Sequence, residues 1–178
     1  MAKFPEIAFQ PGGIVAFSGN YLGSWAINLV TYGIPGWSIS HVGIIGSDGK
    51  TLYEATAQRG VACRPVYPLN YNGRIWYYPL HQVLDVHRWS ELHAYLTAQL
   101  GLPYDARGAM RAGLKGWSWL MAHLRNETDN QMFCSEYVAR ALERIGIFET
   151  DNTSRWSPNA LIRECNRRGL LLEPIRIQ

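Results

Sequence analysis

The sequence lacks the patterns that mark several common classes of protein. It has three cysteines, Cys63, Cys134 and Cys165, an odd and sparse set that does not suit a disulfide framework. It contains no C-x-x-C pair and no H-E-x-x-H motif, so we expect no metal site and no cofactor. The formal net charge is +3 without a basic run, which argues against nucleic acid as a partner.

Long apolar runs are missing as well. No run reaches the roughly 18 apolar residues that a membrane span needs. The opening "MAKFPEIAFQPGG" has no apolar core of the kind found in signal peptides. We therefore expect a cytoplasmic protein without a membrane span. Release by phage lysis or packaging in a virion is an open alternative, because neither leaves an N-terminal signal.

What is present suits a single folded domain over residues 1–178. Hydrophobic residues make up 47% of the chain, enough for a core without covalent staples. Most of the 17 basic residues are arginine, which is compatible with an anionic substrate, although genomic base composition is the simpler explanation. Strand patterns dominate early and helical patterns later, so the predicted class is α+β.

The segment 40–56, "SHVGIIGSDGKTLYEAT", is the clearest hairpin. Two β-rich runs flank an Asp-Gly pair, which favours a two-residue type I′ turn. In that register the residue numbers of each pair add up to 97. His41 therefore lies opposite Thr56. His41 and Glu54 then become diagonal neighbours on one face of the sheet.

Helical spacing appears in three segments that carry clear end signals. They are "SELHAYLTAQLG" (90–101), "QMFCSEYVARALERIG" (131–146) and "SPNALIRECNRRG" (157–169). Weaker helical patterns cover 21–37 and 102–124. Short strands are expected at 12–19, 74–80 and 170–177.

Cys134 is the thiol best placed to react. It lies in the first turn of the 131–146 pattern, where the helix N-terminus favours a thiolate. Cys63 lies in the loop-like "VACRP", and Cys165 lies late in a helix, where the dipole disfavours a thiolate. The competing interpretation of Cys134 is a small buried apolar residue, the commoner role of a lone cysteine.

Thiol catalysis also needs a base and a group that orients it. His41 stands at the start of a predicted strand and is the best candidate for the base. Glu54, its predicted diagonal neighbour, is placed to hold the ring as the third residue of a triad does. Taken singly, each residue has an ordinary structural explanation; the hairpin brings two of them to one face.

These pieces, in this order, resemble the permuted branch of the NlpC-type cysteine hydrolases, the YiiX-like proteins. The matching segments are "GGIVAFSG", "SHVGII", "LYEAT", "GLPYD" and "FCSEYVARAL". The resemblance implies a circularly permuted papain-like fold, with an antiparallel sheet or partial barrel packed against helices. It departs from the family at Gly13, where relatives usually carry an acidic residue.

The resemblance implies a hydrolase with Cys134 as nucleophile, His41 as base and Glu54 as the third residue. Ser40, Tyr104 and Asp105 are further candidates, for substrate binding. Relatives cleave peptide or amide bonds, commonly in bacterial cell-wall peptides, and others transfer acyl chains of lipids. Three functions stay open: peptidoglycan-peptide hydrolysis, a lipid-directed amidase or thiol acyltransferase, and a non-catalytic binding module on the same fold.

Overall fold

The computed structural model of the chain describes residues 7–19, 39–69, 71–104 and 132–177. Within these ranges, strands precede most of the helices. The elements are β1 (Ile14–Gly19), β2 (His41–Ile45), β3 (Thr51–Thr56), β4 (Gly60–Pro65), β5 (Gly73–Tyr78), α1 (Val86–Ala98), α2 (Cys134–Arg144), a 3₁₀ turn (Thr153–Arg155), α3 (Pro158–Arg167) and β6 (Ile175–Arg176). No helix in the described ranges is long and apolar enough to cross a membrane.

The described strands form one antiparallel sheet in the order β4-β3-β2-β1-β5-β6. The central strand β1 places Phe17 opposite His41 on one side and Ser18 opposite Arg74 on the other. The end of β1 therefore lies beside the starts of β2 and β5. The predicted α+β class is confirmed, with helices packed against an antiparallel sheet.

The β2–β3 hairpin has the predicted register but a different turn. Ile44 pairs with Tyr53, which gives the expected sum of 97. The Gly49 N–H donates to the Gly46 carbonyl at 3.1 Å, and the Gly46 N–H donates to the Thr51 carbonyl at 2.8 Å, so the loop has four residues, 47–50. The two-residue type I′ turn was wrong. Because two and four residues are both even numbers, the faces of β3 are unchanged.

Strand β4 is not among the predicted elements, because "VACRP" has the composition of a loop. Its residues from Ala62 onward alternate between half-buried and exposed, but they are small or charged and give little apolar signal. Cys63 therefore lies in an edge strand, opposite Tyr53. Pro65 at the end of β4 is tolerated there because an edge strand leaves one side of its backbone unpaired.

Two helix boundaries show how caps decide the start of a helix. Asp85 accepts a hydrogen bond from the Arg88 N–H at 2.9 Å, so α1 begins at Val86 and the predicted cap, Ser90, lies inside it. Ser157 caps α3 as predicted, with Pro158 in the first turn.

The predicted last strand shortens to two residues, Ile175 and Arg176. The helices predicted at 21–37 and over most of 102–124 lie outside the described residues.

Both faces of the sheet are buried. One face packs against the three helices through a large apolar cluster that includes Ile14, Val42, Ile44, Leu92, Leu96, Tyr137, Val138, Leu142 and Leu161. The opposite face carries a smaller cluster that includes Val15, Phe17, Ile45, Leu52, Ile75 and Tyr77. Strand β2 contributes to both clusters, so the strand that carries His41 is held from two sides.

Gly13 has no room for an acidic side chain of the kind that the resemblance implies at this position. A Cβ atom at Gly13 would lie 2.6 Å from a ring carbon of Tyr77. The Tyr77 hydroxyl accepts a hydrogen bond from the Gln10 N–H at 2.6 Å, which fixes the ring there. Tyr77 thus occupies this space in the present chain.

Candidate active site

Cys134 is the first residue of α2. Its N-cap neighbour, Phe133, provides no side-chain hydrogen bond to the helix, so the first N–H groups of α2 are not capped by a side chain. The Ser135 N–H is directed at the Cys134 sulfur, as is the Val42 N–H from β2. The residue is 4% exposed. The local backbone therefore surrounds the sulfur with donors.

The end of the β2–β3 ladder makes room for this arrangement. The ladder between β2 and β3 contains two pairs of residues: Ile44 pairs with Tyr53, and Ile45 pairs with Leu52. The predicted pairing of His41 with Thr56 is therefore wrong. Outside these pairs, the Val42 N–H donates a hydrogen bond to the Cys134 sulfur. The start of α2 thus meets the sheet where two strands stop pairing.

His41 lies between Cys134 and Glu54. Its Nε2 is 2.9 Å from Glu54 Oε2, and its side chain also hydrogen-bonds to the Cys134 thiol. Because Nε2 serves Glu54, Nδ1 is the ring nitrogen left for the sulfur. The ring of Phe17 packs beside it, with centroids 5.4 Å apart. Side chains therefore bring His41 and Glu54 together although their backbones are not paired.

Glu54 is held by more than His41. It is 3% exposed, and its Oε1 accepts a hydrogen bond from Arg64 Nε at 2.7 Å. Arg64 Nη2 lies 3.4 Å from Oε2, and Arg59 Nη2 lies 3.5 Å from Oε1. Sequence reasoning missed Arg64, because it depends on β4. Once β4 is recognised, Glu54 pairs with Ala62, and Arg64 falls on the same face one step along.

The charges of the site support one another. Burial lowers the pKa of His41, but the Cys134 thiolate and the Glu54 carboxylate outweigh it and raise that pKa to about 10. Burial raises the pKa of Cys134, yet the charge and hydrogen bond of His41, helped by the two backbone N–H groups, bring it below its ordinary value. Burial also raises the pKa of Glu54, but hydrogen bonds from His41 and Arg64 lower it to about 2. The arrangement favours a thiolate–imidazolium pair beside a permanent carboxylate.

The predicted substrate-binding residues are placed differently from one another. Ser40 is 4% exposed, and both its N–H and its hydroxyl donate to the Phe17 carbonyl, at 2.9 and 3.2 Å. Ser40 therefore links the segment just before β2 to β1 through two hydrogen bonds. Tyr104 forms an isolated parallel β-bridge with Met132, which lies two residues before Cys134. Asp105 lies outside the described residues.

The other two thiols have different surroundings. Cys165 is fully buried in α3, and burial raises its pKa to about 12. Cys63 is exposed on β4. Of the three thiols, Cys134 is the one hydrogen-bonded to a histidine.

The described residues offer no metal site made of three or more His, Cys, Asp or Glu side chains. His41 separates Cys134 from Glu54 and uses a different ring nitrogen for each, so the three side chains do not converge on one point. Both Glu54 oxygens also contact Arg64. This donor set suits a row of hydrogen bonds better than a metal.

Comparison with known proteins identifies the type of fold. No family model and no curated protein matches the chain. One solved structure similar to this chain is that of the metalloprotein YiiX from Escherichia coli O157:H7. The TM-score is 0.55, the identity is 21%, and the match covers 95% of this chain and 89% of that one. The chain therefore has a YiiX-like α+β fold. At this identity the likeness is one of fold alone.

Proposed function

We propose that the chain is a cysteine hydrolase in which Cys134 is the nucleophile, His41 the general base and acid, and Glu54 the residue that orients His41. One observation carries the proposal: His41 is hydrogen-bonded to a thiol at a helix start and, through Nε2, to a buried carboxylate. The order of a histidine strand before a cysteine helix is also that of the permuted papain-like hydrolases resembled by the sequence.

The reaction needs only groups of this chain and water. The Cys134 thiolate attacks an amide carbonyl, and the C–N bond breaks as His41 protonates the leaving amine. A thioester then links the acyl group to Cys134. His41 takes a proton from water, the hydroxide attacks the thioester, and the acid is released with the thiolate restored. We expect backbone N–H groups at the start of α2, which no side chain of Phe133 caps, to stabilise the charge that the carbonyl oxygen gains.

The neighbour YiiX is described as a metalloprotein. In this chain the row formed by Cys134, His41 and Glu54 does not fit a common metal ion, for the geometric reasons given above. No step of the proposed reaction passes through a metal.

The proposal is tested by alkylation with iodoacetamide at pH 6, followed by mass spectrometry of each cysteine. An ordinary thiol, with a pKa of about 8.5, is ionised to about three parts in a thousand at that pH. Cys63 is the internal control, because it is exposed and no described histidine contacts it. We expect Cys134 to be modified first, and we expect His41→Gln to remove this preference.

His93→Gln is the matched histidine control, since His93 is exposed and contacts Ser47 rather than the thiol. A Cys134 that reacts no faster than Cys63 in the unaltered protein would favour a non-catalytic module on this fold. A Cys134→Ala protein that keeps full hydrolytic activity would end the nucleophile assignment.

Bacterial cell-wall peptides are the substrate class that we favour, on the resemblance and the mild positive charge. The lipid-directed alternative depends on the apolar segment 112–124, which lies outside the described residues. Incubation with purified cell wall and with acyl-lipid vesicles separates the two. Release of peptide from the first supports a peptidase, and release or transfer of acyl chains from the second supports the lipid-directed alternative.

A further inference from the structure

A groove of about 610 Å³ lies between the sheet and α3, and the proposed chemistry does not use it. Its sheet side comes from β1, β5 and β6, and its helix side from α3. The described residues that line it are Ser18, Ile39, Arg74, Trp76, Tyr78, Asn159, Ile162, Arg163, Asn166, Pro174 and Arg176. A ligand of moderate size fits a space of this volume.

The periodicities of the strand and the helix build this lining. Arg74, Trp76 and Tyr78 alternate along β5 and therefore share one face of the sheet. On α3, the lining residues follow the spacing of one helical face: Asn159, Ile162, Arg163 and Asn166. The groove is thus a product of two regular elements and not of a loop.

The charged side chains among the described lining residues are all arginines. Arg74, Arg163 and Arg176 line the groove, and none of its described lining residues carries a carboxylate. Among the described residues, neither Arg163 nor Arg176 forms an ion pair, whereas Arg167 on the same helix binds Glu164 at 2.7 Å. Guanidinium groups recognise carboxylates and phosphates through paired hydrogen bonds.

Aromatic rings form part of the floor. Arg176 pairs with Trp76 across β5 and β6, and its guanidinium carbon lies 5.9 Å from the ring centroid. This contact holds the guanidinium over the groove. Tyr78, 8% exposed, continues the apolar surface. A ligand that places its charge at the arginines would lay an apolar or flat part against these rings.

Ser18 supplies an independent observation in favour of a ligand site. It lines the groove opposite Arg74, is 5% exposed, and its hydroxyl has no hydrogen-bond partner among the described residues. A buried polar group without a partner costs about 1–3 kcal/mol, so such groups usually face a ligand or an ordered water. An anionic oxygen would accept the hydrogen bond that Ser18 can donate.

We propose that this groove binds an organic oxyanion, a carboxylate or a phosphate ester, with its apolar part against Trp76 and Tyr78. The site goes beyond the hydrolase proposal and stands whether or not Cys134 is a nucleophile. Ile39, which lines the groove, precedes His41 by two residues in the chain, whereas the His41 ring packs against Phe17, a member of the cluster on the opposite face of the sheet.

The test is calorimetric titration of the 178-residue chain carrying Cys134→Ser with phenyl phosphate, benzoate and the neutral benzamide. We expect at least one anion to bind at least ten-fold more tightly than benzamide. Preference for phenyl phosphate identifies a phosphate site, and preference for benzoate a carboxylate site. Equal binding of all three probes, or binding of none, overturns the proposal.

Variants locate the bound anion. Arg163→Gln and Arg176→Gln should each weaken binding at least five-fold, and Ser18→Ala about three-fold. Arg167→Gln is the control, because it removes the same charge from the same helix outside the groove. If Arg167→Gln weakens binding as much as Arg163→Gln does, the anion is attracted by general charge and the proposal fails. Circular dichroism checks that each variant is folded.

Discussion

Cys134 owes its special character to its neighbours and not to its exposure. Cys63 is the exposed thiol, yet no described histidine contacts it, while at the buried Cys165 the nearby Arg168 does not offset the burial that raises the pKa of that thiol to about 12. At Cys134 the imidazolium of His41 and two backbone N–H groups counter the cost of burial. The difference between an inert and a reactive thiol therefore lies in a few hydrogen bonds.

Glu54 stabilises the folded protein in a pH-dependent way. Its folded pKa, about 2, is below the ordinary 4.5, so its contribution is complete above pH 4.5 and is lost as the pH falls towards 2. We expect Glu54→Gln to lower the free energy of unfolding by about 3 kcal/mol at pH 7, because it leaves Arg64 and His41 without their anionic partner. Urea denaturation at pH 7 and at pH 3 measures the loss.

The gap between the unaltered protein and Glu54→Gln should shrink at pH 3. Glu143→Gln is the control, since Glu143 is an exposed residue of α2, and it should change stability by less than about 0.5 kcal/mol. A gap that stays constant between pH 7 and pH 3 would contradict an ionised Glu54 as the source of the stability.

The sequence identifies the members of the candidate site more readily than their supports. Cys134, His41 and Glu54 are each chemically distinctive and lie at recognisable positions, a helix start and a hairpin. Arg64 and the Val42 N–H could not be found in this way. Arg64 depends on an edge strand with almost no apolar pattern, and a backbone N–H has no signature in a sequence.

At the scale of elements, the turn between β3 and β4 decides where Arg64 lies. Gly60 has φ +65°, a conformation that other residues adopt only with strain. A Cβ atom there would lie 2.2 Å from the Leu102 carbonyl oxygen, which accepts a hydrogen bond from the Val61 N–H at 2.8 Å. The turn is thus tied to the segment that follows α1.

Gly60→Ala should therefore destabilise the protein by more than backbone strain alone. Gly101→Ala is the matched control, because Gly101 has φ +87° but nothing within 4 Å of the added Cβ atom. We expect a loss of about 1 kcal/mol for Gly101→Ala and at least about 2 kcal/mol more for Gly60→Ala. Guanidinium denaturation of both variants checks the order, and equal losses would mean that the contact with Leu102 is easily relieved.

At the scale of the whole molecule, α2 is the element on which the core depends. Leu142, fully buried, belongs to the cluster that joins the sheet to all three helices. Leu142→Ala should lower the free energy of unfolding by about 2–5 kcal/mol, because it opens a cavity in that cluster. Leu172→Ala, at a residue 45% exposed, should cost about 0.5 kcal/mol or less. Thermal or urea unfolding compares the two, and similar losses would place the main core elsewhere.

The fold could be predicted from the sequence where periodicity and caps are strong. The sequence predicts the apolar face of α2 and the start of α3 at Ser157 and Pro158. It also predicts that the loop between β2 and β3 has an even number of residues, which decides the face on which each β3 side chain lies. The order of the strands was not, because pairing such as that of β1 with β5 joins segments about sixty residues apart. Local chemistry does not specify such distant partners.

The row that runs from Cys134 through His41 and Glu54 to Arg64 has alternating charges that sum to zero. A proton that moves from the sulfur to the imidazole stays within the row, so the sum is unchanged before and after the transfer. The field of such a row decays quickly with distance, and the row itself gives little long-range attraction to a charged molecule. Attraction of an approaching anion over several ångströms would then depend on charges outside the row, such as those of Arg163 and Arg176 in the groove beside α3.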